Sequence, residues 1–193
     1  MKKLYAIILG AAICATGVSC GGGGGAKNEY LGNLPRLYQQ FNQAEADMKA
    51  GIEGKGMEEL TKAFTTMQAK EEQLKVDVTA ELAKLVGKEV PVTYSDALTS
   101  SGEQFYEATA VMGKYNSHAH LPGLDITTMA GADARAGIYF CLADKEGIPI
   151  AGSRWGFSLS DSISYYIDIK DDPAGYAKMA SVRFVTKEEY DNL

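Results

Sequence analysis

The spacing of apolar residues changes once along this chain, near Lys88, and that change restricts it to helices first and strands afterwards. Between Lys27 and Lys88, Leu34, Leu37, Phe41, Ala44 and Met48 recur at alternating steps of three and four, with Pro35 where a first helical turn tolerates it. The spacing predicts a helix over 34–50. Gly51, Gly54 and Gly56 break the rhythm, and Met57, Leu60, Phe64, Met67, Leu74, Val78, Leu82 and Leu85 resume it over 57–86, interrupted by Glu71. The expected unit for residues 27–88 is an antiparallel helical hairpin.

Its two arms do not match. At 1.5 Å per residue the first helix reaches about 25 Å and the second about 45 Å, so the first runs out opposite about Gln73. The stripe of Leu74, Val78, Leu82 and Leu85 then needs another cover. Packing on the strands is the expectation; a second copy of the chain, giving an oligomer, is the alternative.

Beyond Lys88 the chain reads as short strands over 90–94, 105–114, 124–129, 136–143, 148–157, 162–170 and 178–186. Asp144-Lys145-Glu146-Gly147 and Asp171-Asp172-Pro173 read as hairpin turns between pairs of them. Seven strands within residues 89–193 match the size of an immunoglobulin- or fibronectin-like β-sandwich, so the expected class is α+β, a helical hairpin followed by an all-β sandwich. Architecture of this kind carries no function by itself.

Charge divides at the same place. Residues 27–88 hold nine basic and ten acidic side chains, residues 89–193 eight and fifteen. A field of that sign repels phosphates, which excludes nucleic acid as a partner and electrostatic adhesion to anionic membranes.

The N-terminus carries an address. Lys2 and Lys3 precede an apolar stretch from Leu4 to about Ile13 and then small residues up to Ser19, the layout of a secretory signal over residues 1–19. Ten apolar residues span only about 15 Å as a helix, about half of a bilayer's hydrocarbon core. Gly17-Val18-Ser19-Cys20 resembles the lipobox of bacterial lipoproteins, with Gly17 where that family usually has Leu. The resemblance implies cleavage before Cys20, lipid on Cys20 as membrane contact, and, with Gly21 in place of Asp, the outer membrane, facing the periplasm or the surface. Ordinary cleavage after Gly17 is the alternative. Gly21 to Gly25 cannot pack and forms a flexible leash, so residues 20–26 read as lipidated cysteine plus tether.

The remaining cysteines carry little chemistry. Cys14 leaves with the signal, and Cys141 lies in the apolar run Gly137-Ile138-Tyr139-Phe140-Cys141-Leu142, as a buried inert thiol does. His118 and His120, two apart and on one side of an extended segment, are candidate zinc ligands with Asp125 as a third; solvent-facing loop histidines are the alternative. Asp161, Asp168, Asp171 and Asp172 lack calcium-loop spacing and fit turn capping better. Trp155, Tyr165 and Tyr166 are the candidate ligand-binding residues, since flat aromatics on strands hold sugars or peptide side chains. Hydrolase elbows, His-Glu-x-x-His and phosphate-loop patterns do not occur, so neither catalysis nor a cofactor is expected. The leading expectation is non-catalytic binding of a protein or glycan at the envelope; a structural homo-oligomer and a polysaccharide-active enzyme are the other readings.

Overall fold

A computed structural model describes residues 27–100, 107–116, 121–129, 137–157 and 162–193. Helices α1 (Leu34–Ile52) and α2 (Met57–Leu82) come first. Strands β1 (Glu89–Val90) and β2 (Val92–Tyr94), helix α3 (Asp96–Ser100) and strands β3 (Glu107–Asn116) to β4 (Leu121–Met129) follow. The chain ends with β5 (Ile138–Ala143), β6 (Trp155–Phe157), β7 (Ser162–Tyr166), α4 (Pro173–Tyr176), β8 (Ser181–Val185) and α5 (Lys187–Asp191). The class is therefore helices plus two largely antiparallel sheets, ordered β1-β3-β4-β7 and β2-β8-β5-β6.

Pro91 splits what reads as one strand over 90–94. Lacking an N–H, it cannot donate to a ladder, and the chain changes sheets there: β1 pairs antiparallel with β3, while the Pro91 carbonyl accepts from the Val182 N–H at 2.8 Å and β2 pairs parallel with β8. That parallel pair and the short helices α3, α4 and α5 accompany the antiparallel strands. Two sequence readings are corrected. The run 148–157 is a strand only from Trp155, because Pro149 again lacks a donor and the buried Ser153 hydroxyl, not a partner strand, accepts from the Leu142 N–H at 3.1 Å. Asp171-Asp172-Pro173 is not a hairpin turn; Asp172 caps α4, its carboxylate accepting from the Gly175 N–H at 2.9 Å. The other turn is present: Asp144 Oδ1 accepts from the Glu146 and Ile148 N–H groups, and Gly147 takes a φ of 79° that side chains rarely adopt.

One continuous core joins helices to sheets. Val78, Leu82 and Leu85 are buried with Leu31, Leu34, Val90 and Met112, so strands and the entry segment cover the lower stripe of α2 from within the chain. Between the sheets Phe140 meets Tyr165 edge-on, ring centroids 5.5 Å apart, and packs on Phe184 at 5.9 Å. The helix expected to Val86 stops at Leu82, and the turn beyond it hydrogen-bonds to β3 through Gly87 N–H to Met112 O and Met112 N–H to Lys88 O, both 2.7 Å.

The entry segment is clamped to the opposite end of the chain. The buried Asn28 carboxamide donates to the Ala177 and Met179 carbonyls at 3.0 and 2.8 Å and accepts from the Tyr30 and Leu31 N–H groups at 2.9 and 2.8 Å. Beside it the buried Glu81 carboxylate accepts from the Asn33 N–H and pairs with Lys84, each at 2.8 Å. Burial alone pushes this carboxyl up, but Lys84 and the Asn33 N–H outweigh burial and hold it below the ordinary range. Gly32 sits against it at a φ of 56°, where an added Cβ would fall 2.3 Å from the Glu81 oxygen.

Replacing Asn28 by Ala strands two carbonyls and two N–H groups without adding volume. A loss of about 3 kcal/mol is expected, read as a lower urea midpoint with unchanged slope.

Candidate functional site

Cys20, His118, His120 and Asp161 lie outside the described residues. Asp125 is exposed on β4, where its carboxylate accepts from the Ser164 hydroxyl at 2.6 Å and lies over Gly113. Among the described residues no three His, Cys, Asp or Glu side chains converge as a metal site.

The three aromatic candidates do not share one surface. Tyr165 on β7 is 6% exposed and points between the sheets; Tyr166 faces the other way, as neighbours on a strand must. Trp155, at the edge of its sheet on β6 and 49% exposed, touches Tyr165 with ring centroids 5.5 Å apart. Burial raises the pKa of Tyr165 and Tyr176, which hydrogen-bond to each other, so both hydroxyls stay protonated near neutrality. Trp155 therefore offers one open edge, backed by core.

On the outer side of the same sheet, the rings of Tyr139 and Tyr190 meet at a tilt of 41° with centroids 5.0 Å apart, with Arg154 over Tyr190 and Lys187 near both rings. Arg154 also donates to the Tyr190 carbonyl at 3.2 Å, so these contacts fasten α5 to β5 and β6. Cys141 is fully buried, and burial pushes its thiol up to about 11.

The concave feature that sequence reasoning missed lies between α1 and α2. Above Tyr38 on α1 and before Val78 on α2 neither helix buries any residue, so the outer parts of the pair are covered only by each other and, beside α1, by the segment at Lys170. They leave a groove of about 400 Å³ with Tyr38 and Val78 at its inner end, walls of Phe41, Met48, Phe64, Met67 and Leu74, and Glu45, Glu71, Lys75 and Lys170 among its lining. Phe64 remains 58% exposed. Burial first, then Asp168, pushes the Tyr38 hydroxyl up to about 12, so the inner end is neutral. Asn42 donates to the Lys170 carbonyl at 2.8 Å, which brings the segment after β7 against α1 and sets the Lys170 ammonium 5.7 Å from the Phe41 ring centroid. The signal was in the sequence: Phe41, Met48, Phe64 and Met67 belong to the helical rhythm and read there as core.

No protein family, curated protein or solved structure matches this chain.

With Cys20 replaced by Ala, native protein at pH 8 should react with a thiol reagent over hours or more, and the same protein in denaturant within minutes. Fast native labelling of Cys141 would contradict its burial.

Proposed function

We propose that the protein is an exported, lipid-anchored envelope protein with a non-catalytic binding role. Lipid on Cys20 holds it to the outer membrane, the glycine run spaces it away, and a helical hairpin stands on an immunoglobulin- or fibronectin-like β-sandwich. No helix among the described residues is long and apolar enough to cross a membrane. The observation that carries the binding role is the open groove between α1 and α2, an apolar concavity that the chain itself leaves half covered. This moves the main binding surface from the Trp155 edge to the helices; a glycan or peptide contact at Trp155 remains secondary.

A second reading is a homo-oligomer through α2, favoured by Met57 at 78% and Phe64 at 58% exposure on that helix. Two such pairs facing each other would form a four-helix bundle and bury both residues.

Cys20→Ala should move the protein from the membrane pellet to the soluble fraction of the envelope. Retention on the membrane after a salt wash would sink the lipid-anchor reading. For the binding role, a photo-crosslinking side chain at position 64 should yield an adduct in intact cells. Adduct of twice the chain mass alone selects the homo-oligomer; uncrosslinked protein only removes both readings.

A further inference from the structure

We infer that the groove between α1 and α2 takes a single-chain amphiphile with one negative charge, of the fatty-acid type, its tail along Phe41, Met48, Phe64 and Met67 and its carboxylate at Lys170. The inference rests on the groove being the binding site and adds what fills it.

Three observations select this occupant. The first is shape. The groove runs from Tyr38 to Met48 on α1 and from Phe64 to Val78 on α2, about 15 and 21 Å at helical rise. It is a slot between two touching helices, and a third helix, about 10 Å or more across, would rest on it rather than enter. A linear alkyl tail enters, and the flexible Met48 and Met67 side chains can close on it.

The second is the state of the cations. Lys75 is held by Glu72 at 2.8 Å and Glu71 at 3.4 Å, and Lys49 takes Glu45 at 2.8 Å. The nearest carboxylate contact of Lys170 is the other Glu45 oxygen at 3.9 Å, beyond hydrogen-bond distance. Lys170 thus stands at an apolar slot with its charge loosely engaged while its backbone is fixed by Asn42.

The third is overall charge. Residues 27–88 are nearly balanced, nine basic to ten acidic, whereas residues 89–193 are acidic, eight to fifteen. That surplus opposes any anion and a doubly charged phosphate headgroup most, so it limits the head to the single charge that Lys170 can match.

The test uses the Cys20→Ala protein, stripped of lipid, titrated calorimetrically with sodium palmitate below its aggregation concentration. Monopalmitoyl glycerol, palmitoyl lysophosphatidate and hexadecyltrimethylammonium serve as neutral, dianionic and cationic heads on the same tail length. Palmitate should bind one to one and more tightly than the dianionic and cationic chains. Lys170→Gln should weaken palmitate roughly fivefold and leave the neutral chain unchanged. Phe64→Glu, at an exposed position that folding does not require, should weaken both about tenfold or more by placing a charge against the tail; unchanged circular dichroism confirms the fold. Palmitate affinity equal in wild type and Phe64→Glu, or tighter binding of the cationic chain, overturns the inference. If no amphiphile binds while the position-64 crosslink still captures a protein, this inference falls and the groove-binding reading stands.

Discussion

A missing N–H at residue 91 organises this molecule. Pro91 has no N–H to give to the first ladder, while its carbonyl accepts from the Val182 N–H at 2.8 Å in the second, so the two residues before it close the edge of one sheet and the three after it close the edge of the other. Just beyond the turn that ends α2, the chain thus belongs to both sheets within six residues. The lower stripe of α2 is thereby delivered onto the core the sheets share, and Val78, Leu82 and Leu85 are buried with Val90 and Met112. The short ladders β1 and β2 could not do this alone; burial of the stripe is what holds them in place.

The outer helical pair is different in kind. Many of its surface charges are paired along the helices themselves, Lys49 by Glu45, Lys62 by Glu58 and Lys75 by Glu71 and Glu72, and its tie to the sheets is the contact of Asn42 and Glu45 with Lys170. Its apolar residues are only partly covered. A bundle of two helices cannot enclose a core, because each helix meets its partner along one narrow line and leaves the flanks of that line open. The groove follows from this geometry, and so does the exposure of Phe64. In the sheets, by contrast, Tyr165 is covered by Phe140 and Trp155, with only the Trp155 edge left open.

The segment before α1 is tied to the far end of the chain by the four hydrogen bonds of Asn28, two of them to Ala177 and Met179 just before β8, a strand inside its sheet. A single buried carboxamide thus joins the first described residues to a central strand.

Much was legible in the sequence because it depends on local periodicity. The helix starts at Leu34 and Met57, the turn at Asp144 to Gly147, the buried thiol of Cys141 and the strand core from Ile138 to Leu142 follow from spacing, from turn chemistry and from runs of apolar side chains. What spacing cannot state is which neighbour an apolar residue meets. Phe64 and Leu82 occupy equivalent positions in one helical stripe, yet Leu82 is buried by β strands and Phe64 lies open. Trp155 and Tyr165, ten positions apart in the chain, touch across two sheets, while the adjacent Tyr165 and Tyr166 are separated by the strand itself. The sheet change at Pro91 was likewise decided by long-range partners, β3 on one side and β8 on the other. Sequence alone determined the elements and the residues able to be apolar surface; tertiary structure decided which of those surfaces were used up in the core and which was left over, because burial is a property of pairs distant in the chain.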